Sequence, residues 1–397
     1  MISLRGRAVA TCLEAPLSRT TWMLTTPERA TGAREGSALL LANGASPLPG
    51  YDLYVGTDEE LWGSIGNYIA LPRQLQYLTA GDVLTTSVDG TRLRVLWRHR
   101  ARQNSILLTE RCNHMCLMCS QPPKPNNDDW LIDQAFELIR LLPPWTSTEI
   151  GFTGGEPTLY GERLFALLRL CRNLVPQAPV HTLSNGRFFS NDEFAAGYAA
   201  VDNPNMMIGI PIYGSEPTLH DFVVQSKGAF DDTVSGILNL VARGQRVEIR
   251  VVVHKQTAPH LVEIAEFISR NLPFVEQVVF MGLEMIGFAR ANIDDIWIDP
   301  VDYKEILYEA VTLLDRKGIR TLVYNHQLCV IDRRLWPFAV RSISDWKNEY
   351  HPECLKCSVL HDCGGFFFSA SHRFSDHIRA ITPRQDDSQP ALLTLTH

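Results

Sequence analysis

Short apolar runs alternate with amphipathic stretches along most of the chain. The runs have the length of buried strands and lie at 106–109, 149–153, 180–184, 206–212, 247–253, 276–281 and 320–324. Apolar residues recur at helical spacing over 131–142, 162–174, 191–200, 229–243, 260–271 and 302–317. Asp128 and Asp129 are the expected N-caps of the first helix. This series of about six or seven strand–helix units predicts an α/β fold with a parallel sheet, closed or partly closed as a barrel. Its chemistry is expected at the loops that follow the strands.

The two ends of the chain do not show this alternation of strands and helices. Residues 1–100 predict a small β-rich domain, with β-like runs at 38–42, 52–55, 83–88 and 93–97 and turn signals at Asn43-Gly44, Pro49-Gly50 and Asp89-Gly90. Residues 326–377 are rich in aromatic, arginine and cysteine residues and predict an irregular extension of the barrel at 104–325. Residues 378–397 are polar with prolines and are expected to form a mobile tail.

The composition narrows the classes of function. The net charge is −7 without long blocks of like charge, which argues against a nucleic-acid binder that relies on phosphate attraction. No apolar stretch approaches the ~18 residues of a membrane span, and Glu14 interrupts the N-terminal apolar stretch before it could serve as a secretory signal. The protein is therefore expected in the cytoplasm, where nine cysteines are more typical of metal ligation or catalysis than of disulfides.

Three closely spaced cysteines follow the first barrel strand. Cys112, Cys116 and Cys119 form a C-x3-C-x2-C pattern within LLTERCNHMCLMCS. One loop can wrap three such thiolates around a single [4Fe–4S] cluster, which normally takes one cysteine per iron. The fourth iron then stays open for a substrate or cofactor. A zinc site is the alternative, although it would need a fourth ligand, and His114 lies inside the loop.

A glycine-rich turn follows the second strand. It reads GFTGGEP and contains Gly154, Gly155, Glu156 and Pro157. Glycines at a strand end let the backbone approach a ligand closely and leave amides and carbonyls free to bond it. Alone, this motif could be a plain turn, but its position at the second strand, after the cysteine triad, makes it informative.

The two motifs together resemble those of the radical S-adenosylmethionine (SAM) superfamily. The resemblance implies that the triad binds a [4Fe–4S] cluster whose open iron holds the amino and carboxylate groups of SAM. It also implies that Gly154, Gly155 and Glu156 line the methionine end of SAM. One electron would cleave SAM to methionine and a 5′-deoxyadenosyl radical, which removes a hydrogen atom from the substrate. The cofactor then supplies the chemistry, and the protein supplies placement and exclusion of water.

Further SAM contacts are expected at the following strands. Ser184 and Asn185 end the third strand, where similar proteins place polar residues near the cofactor. The stretch SEPTLHDFV followed by GAF resembles the HD…G-S-F stretch of peptide-modifying members, with Ala229 in place of serine. Arg250 on the fifth strand could pair with a carboxylate. An ordinary polar role in the core or on the surface is an equally good interpretation of each residue.

A second group of cysteines lies in the extension. Cys354, Cys357 and Cys363 form C-x2-C-x5-C, and Cys329 precedes them. Four thiolates are enough to ligate one iron–sulfur cluster completely. The pattern resembles the short auxiliary-cluster ("twitch") form of the SPASM extension, and an auxiliary [4Fe–4S] cluster is implied. A structural zinc site and unligated thiols are the alternatives, and without Cys329 an auxiliary iron would be open to substrate.

The whole-chain pattern resembles one branch more closely. RCNHMCLMCSQPPK, GFTGGEPTLYGERL, MGLEMIGFARAN and RLWPFAVRSISDWKNEY together resemble the C-type radical SAM maturases (HxsC) of His-Xaa-Ser peptide systems, over roughly residues 104–370. The resemblance implies a partial (β/α)6-type barrel that modifies a ribosomally synthesised peptide with His-Xaa-Ser repeats. It implies a second radical SAM maturase and an electron donor such as flavodoxin or ferredoxin as partners.

Two alternatives to this function stay open. One is a radical SAM enzyme that acts on a small molecule, and the other is a non-enzymatic iron–sulfur electron donor or scaffold for the second maturase. If the substrate is a peptide, residues 330–350 are the candidate element for ordering the barrel mouth. Strand edges of the N-terminal domain are candidates for pairing with an extended leader.

Overall fold

A computed structural model describes residues 2–29, 35–42, 45–57 and 65–382. It contains two eight-stranded sheets and one two-stranded sheet. The predicted turn at Asn43-Gly44 and the tail beyond residue 382 lie outside the described residues. None of the helices within the described ranges has both the length and the apolar character needed to span a membrane.

The N-terminal residues form a mixed sheet, in agreement with their β-like runs. Its strands are β1 (Arg5–Arg7), β2 (Ala10–Cys12), β3 (Thr21–Thr25), β4 (Ser37–Leu41), β5 (Tyr54–Gly56), β6 (Tyr68–Ala70), β7 (Val83–Thr86) and β8 (Arg92–Trp97). Their order in the sheet is β1-β8-β7-β3-β4-β5-β6-β2. The predicted hairpin at Asp89-Gly90 joins β7 to β8, which pair antiparallel.

One segment joins the two ends of this sheet. β1 and β2 are consecutive in the chain, yet β1 pairs with β8 and β2 pairs with β6 at the opposite end. Between them, Ala8 N–H donates to Thr91 O and Val9 N–H donates to Ala70 O, both at 2.9 Å. The sheet therefore closes on itself. In the described residues β1 and β2 each pair with one neighbouring strand, so pairing of a strand edge with an extended leader stays a prediction.

The second sheet consists of parallel strands that follow each other in chain order. They are β9 (Gln103–Thr109), β10 (Glu149–Gly154), β11 (Val180–Leu183), β12 (Met206–Pro211), β13 (Val247–Val253), β14 (Gln277–Gly282), β15 (Thr321–Tyr324) and β16 (Ala339–Val340). This arrangement confirms the predicted α/β class and parallel sheet. β9 and β16 do not pair with each other in the described structure, so the barrel is partly closed. The two-residue strand β16 was not predicted.

Helices connect these strands. They are α1 (Trp130–Leu141), α2 (Glu162–Leu174), α3 (Asp192–Ala199), α4 (Pro217–Val224), α5 (Ala229–Val241), α6 (Leu261–Asn271), α7 (Phe288–Ala291), α8 (Ile293–Ile296) and α9 (Pro300–Arg316). The sequence analysis missed α4, α7 and α8, which are too short to show helical periodicity. α4 begins after Glu216, whose carboxylate accepts the N–H groups of Thr218 and Leu219 at 2.8 and 3.0 Å.

The predicted capping of α1 is wrong. Asp129 precedes α1 with helical backbone angles, and its side chain caps no N–H group of the helix. The carboxylate of Asp128 instead accepts hydrogen bonds from Thr109 Oγ1, Glu110 N–H and Arg111 Nε. These partners lie directly after β9, so the carboxylate fixes the start of the cysteine loop rather than the start of the helix.

Each parallel strand divides its residues between two faces. Ile150 and Phe152 of β10 are fully buried in the core that the strands share with the helices. The opposite face carries polar groups. A Cβ atom on Gly209 would lie 3.0 Å from Arg250 Nε and 3.1 Å from His181 Nε2, so three neighbouring strands bring these groups together on that face.

Part of the N-terminal sheet packs into the hydrophobic core of the barrel, whereas most of its buried residues form two separate clusters. Val83 and Trp97 of the N-terminal sheet are buried in the same cluster as the barrel residues. Thr21 Oγ1 donates to Glu137 of α1 at 2.6 Å, and Arg94 and Trp130 form a cation–π contact beside it. The N-terminal sheet therefore packs on the first helix of the barrel.

The extension contains 3-10 turns and a two-stranded sheet of β17 (Asn348–Glu349) and β18 (Phe366–Phe367). Asp345 accepts two hydrogen bonds from Arg98, at 2.6 and 2.8 Å. Lys347 pairs with Glu284, which follows β14, at 3.0 Å. The segment 339–349 thus connects the N-terminal sheet, the barrel and the extension.

Candidate active site

The cysteine loop (residues 110–129) leaves and returns at the end of β9. Arg111 N–H donates to Thr109 Oγ1 at 3.0 Å, and its guanidinium donates to Asp128 at 3.0 Å. Where the loop returns, Lys124 N–H donates to Glu110 O at 2.9 Å, and the two side chains form an ion pair at 2.8 Å. These contacts close the base of the loop at the carboxyl edge of the sheet.

Neighbouring helices hold the part of the loop that carries the thiols. Leu117 N–H donates to Val223 O, at the end of α4, at 2.9 Å. Asn292 Nδ2 donates to Leu117 O at 2.8 Å, and Phe288 N–H donates to Cys119 O at 2.8 Å. The triad is therefore placed by α4 on one side and by α7 and its neighbour α8 on the other.

The glycine turn touches the cysteine loop directly. Gly155 N–H donates to Thr109 O and Glu156 N–H donates to Arg111 O, both at 2.8 Å. A Cβ atom on Gly155 would lie 2.1 Å from Arg111 O and 3.0 Å from Cys112 Cβ. This approach excludes any larger residue, because real Cβ atoms do not come within 3.0 Å of another heavy atom.

The side chain of Glu156 is fully buried and contacts the residues that follow β11. Its carboxylate accepts from Thr158 N–H at 3.0 Å, Ser184 Oγ at 2.8 Å and Asn185 N–H at 2.6 Å. Burial raises the pKa of Glu156, and these hydrogen bonds act in the opposite direction. Asn185 Nδ2 also donates to Asn113 Oδ1 at 2.6 Å. Ser184 and Asn185 thus lie beside the triad, and Glu156 is the residue that joins them to it.

The thiols of the triad lie close together in a buried environment. Burial raises the pKa of Cys112 to about 12, and the neighbouring Cys119 adds to this shift. Burial likewise raises the pKa of Cys116, to which both other thiols contribute. Such thiols lose their protons when they bind a metal, whose positive charge offsets the cost of burying the thiolates. The donor set therefore fits an iron–sulfur cluster.

The thiols are not gathered around a single ion. Across the ranges that the structure describes, no group of three or more His, Cys, Asp and Glu side chains is arranged to hold one metal ion. A four-iron cluster needs a different arrangement, because each thiolate binds its own iron. His114, between the first two thiols, has no hydrogen-bond partner on either ring nitrogen among the described residues.

Arg250 lies on the polar face of the sheet. Its Nε donates to Glu248, whose buried carboxylate also accepts from Gln277 and lies 3.5 Å from His181 Nε2. Burial alone would raise the pKa of Glu248, but Arg250 and His181 bring it below its ordinary value. Arg250 thus has an anionic partner in the protein, and only its terminal nitrogens are without an acceptor among the described residues.

A buried aromatic cluster behind the triad was missed by the sequence analysis. Tyr213, after β12, lies within electrostatic reach of Cys116. The rings of His220 and His254 lie 5.8 and 6.3 Å from the Tyr213 ring. Burial lowers the pKa of His220 to about 4 and that of His254 to about 3, so both rings are neutral. His220 belongs to the HD stretch, but no spacing in the sequence indicates that the three side chains meet.

The cysteines of the extension lie within electrostatic reach of one another. Burial raises the pKa of Cys329, and Cys363 and Cys354 add to the shift. Burial likewise raises the pKa of Cys354, to which Cys363 and Cys357 contribute. Cys329 therefore lies near Cys354 and Cys363, although a 3-10 turn, β16 and β17 separate it from them in the chain. Ile381 N–H donates to Cys357 Sγ at 3.4 Å.

The barrel matches a known family. Residues 106–268 match the family described as the Radical SAM superfamily. The chain contains a Radical SAM superfamily domain. The matched residues include the triad, the glycine turn and Arg250. Members of this family use a [4Fe–4S] cluster and SAM. No curated protein matches the chain.

Solved radical SAM structures resemble parts of the chain. SuiB of Streptococcus suis is 15% identical with a TM-score of 0.42, over 55% of this chain and 48% of SuiB. The chain therefore spans about half the length of SuiB. The enzyme anSMEcpe with bound AdoMet is 15% identical with a TM-score of 0.49, over 69% of this chain and 91% of that protein. A radical SAM methyltransferase from Sphaerobacter thermophilus is 16% identical with a TM-score of 0.44, over 61% and 72% of the two chains.

Proposed function

We propose that this protein is a radical SAM enzyme whose cluster is bound by Cys112, Cys116 and Cys119. The observation that carries the proposal is the contact between Gly155 and the residue pair Arg111–Cys112, which sets the turn of the second strand against the first thiol. When bound, the cluster and SAM supply a one-electron cleavage that yields a 5′-deoxyadenosyl radical.

The residues of the chain bind and orient the cofactor. The three thiolates would hold the cluster, and the backbone of Gly154 and Gly155, which lies along the cysteine loop, would hold the methionine end of SAM. Glu156 has a positioning role, because its carboxylate holds Asn185 beside the cysteine loop. The terminal nitrogens of Arg250 are candidates for a carboxylate of the cofactor or of the substrate.

Loss of one thiol tests this proposal. Cys116→Ala should abolish 5′-deoxyadenosine formation by anaerobically reconstituted, reduced protein with SAM. The matched control is Cys12→Ala, which removes a cysteine of β2 far from the triad and should leave the product unchanged. Reductive cleavage of SAM by the Cys116→Ala variant at the wild-type rate would refute the ligand assignment.

We further propose that Cys329, Cys354, Cys357 and Cys363 bind an auxiliary [4Fe–4S] cluster. The electrostatic proximity of these thiols supports it, since four cysteines complete the ligation of such a cluster. Anaerobic reconstitution should give roughly eight irons per chain, and a variant with alanine at all three triad positions should retain about four. One zinc with about four irons would instead indicate a structural zinc site in the extension.

The proposed substrate is a ribosomally synthesised peptide with His-Xaa-Ser repeats. The HD…GAF stretch and the resemblance to the His-Xaa-Ser maturases support this choice. The proposed partners are the precursor peptide, a second radical SAM maturase and an electron donor such as flavodoxin or ferredoxin. Mass spectrometry of a precursor, co-expressed with both maturases and with or without this chain, tests it. An unchanged precursor mass would leave a small-molecule substrate as the alternative, and absence of SAM cleavage would leave an electron-donor or scaffold role.

A further inference from the structure

The last described segment of the chain, residues 378–382, lies against the cysteines of the extension; we call it the C-terminal strap. Ile381 N–H donates to Cys357 Sγ at 3.4 Å. The strap therefore contacts a cysteine of the extension through its backbone.

The strap is anchored independently of this sulfur contact. Ile381 O accepts from both Ser358 N–H and Ser358 Oγ at 2.8 Å. The side chain of Ile381 packs against the main hydrophobic core, which also contains Cys363. These contacts hold the N–H group of Ile381 against Cys357 Sγ.

We propose that the C-terminal strap is part of the redox site in the extension: the N–H group of Ile381 donates to the sulfur of Cys357 and raises the reduction potential of the cluster bound there. This inference rests on the proposed auxiliary cluster. Reduction adds negative charge to a cluster and its thiolates, and N–H donors stabilise that charge. Hydrogen bonds to the sulfurs and lower solvent exposure are established determinants of cluster potentials.

The test removes one N–H group and leaves the rest of the strap in place. It uses the full chain with alanine at the three triad positions, so that only the second cluster contributes to the spectra. Ile381→Pro eliminates the donor to Cys357 but keeps the carbonyl that Ser358 contacts. Ile381→Val is the control, because it retains the N–H group and most of the apolar side chain.

The measurements are the iron content, the reduction potential from an electron paramagnetic resonance titration, and the rate at which the visible absorbance bleaches in air. The expected result for Ile381→Pro is an iron content of about four, a more negative potential and faster bleaching than in Ile381→Val. Equal potentials in the two variants, with iron retained in both, would overturn the role of the strap alone. Absence of iron from the parent triple-alanine protein would overturn the auxiliary cluster and the strap together.

A second measurement covers the case in which Ile381→Pro does not fold. Electron–nuclear double resonance of the reduced triple-alanine protein in H2O and D2O detects exchangeable protons coupled to the cluster. A strongly coupled exchangeable proton is expected, because the N–H group of Ile381 donates to Cys357 Sγ. Its absence would overturn the proposal without any change to the strap.

Discussion

At the residue scale, the missing side chain of Gly155 determines how close two strand ends can come. Its Cα abuts Arg111 O and Cys112 Cβ, and no rotation of a side chain can relieve a Cβ atom placed 2.1 Å from a backbone oxygen. The loop that carries the first thiol would have to move. The position therefore couples the backbone of the glycine turn to the geometry of the triad.

Gly155→Ala should displace the cysteine loop and reduce both cluster content and SAM cleavage. The control is Gly151→Ala on the same strand, where the nearest atom to a new Cβ is Ser105 Oγ at 3.3 Å. Formation of 5′-deoxyadenosine should fall at least about tenfold in the first variant, if the shift costs the loop about 1.4 kcal/mol or more. Iron content and visible absorbance should fall toward the roughly four irons of the proposed auxiliary cluster. Equal iron and product in the two variants would refute the coupling.

His326 gives the stability of the protein a pH dependence. Its ring is buried, donates to Tyr324 O and accepts from Tyr303 O–H, both at 2.8 Å. Burial lowers the pKa of His326 to about 4 from an ordinary value of 6.5. Between these two pKa values, His326 therefore binds a proton in the unfolded chain but not in the folded chain. Stability is fully present above pH ~6.5 and is lost as the pH falls toward ~4.

Between pH 7 and pH 5, this histidine should account for a loss of about 1–2 kcal/mol in the free energy of unfolding. His326→Gln should remove that part of the pH dependence, as measured by urea unfolding at several pH values. His372→Gln, at an exposed position, is the control and should keep the wild-type slope. A His326→Gln protein with the wild-type slope would contradict the assignment.

The spacing of the cysteines and of the glycine turn indicates their chemistry without a structure, because those residues are neighbours in the chain. The role of Glu156 could not be predicted in the same way. Its partners Ser184 and Asn185 end a different strand, and only the parallel pairing of β10 with β11 brings them to its carboxylate. Asp128 illustrates the same limit: a tertiary partner, Arg111, replaces the local cap that the sequence favours.

At the scale of elements, the segment 339–349 belongs to residues 330–350, the candidate element for ordering the barrel mouth. Arg98 and Asp345 form a two-bond ion pair across it, with side chains that are 13% and 50% exposed. A pair this exposed contributes less than about 1 kcal/mol to global stability. Its effect should therefore be local and should concern how often the segment opens.

Asp345→Asn should make the segment open more often while leaving global stability nearly unchanged. Trypsin cleavage at Arg341 and Lys347 should become several-fold faster, as followed by mass spectrometry. High salt should speed the cleavage of the wild type but have little effect on the variant, because the ion pair is already lost. Glu353→Gln, which alters an exposed pair with Lys356, is the control. Cleavage of Asp345→Asn at the control rate would show that the pair does not restrain the segment.

The strands of the barrel were predicted closely, because runs of buried β-branched residues such as 247–253 stand between clear turns. The closure of the N-terminal sheet was not predicted. It depends on pairing of β1 with β8 and of β2 with β6, between residues far apart in the chain. No local sequence pattern indicates such a pairing, and the register of the strands is fixed only when the sheet assembles.

At the scale of the whole molecule, we expect the N-terminal sheet and the barrel to unfold together. Trp97 ends β8 and is 2% exposed, in the same buried cluster as Ile139 of α1 and Phe152 of β10. Because the side chain of Trp97 fills part of the barrel core, the N-terminal sheet should stabilise the barrel. Deletion of residues 1–100 would thus expose the face of α1 that it covers, and lost precursor binding by such a deletion would not by itself identify a recognition surface.

Trp97→Ala should therefore destabilise the whole protein by about 3–5 kcal/mol, the cost of emptying a large core site. Trp145→Ala is the control: Trp145 is 70% exposed, and its loss should change stability by less than about 0.5 kcal/mol. Urea unfolding followed by far-UV circular dichroism should show one transition for the wild type, and Trp97→Ala should shift that entire transition to lower urea. Two separate transitions, with only the earlier one shifted, would mean that the sheet and the barrel unfold independently. In that case the barrel does not depend on the sheet, and deletion of residues 1–100 would again become a clean test of precursor recognition.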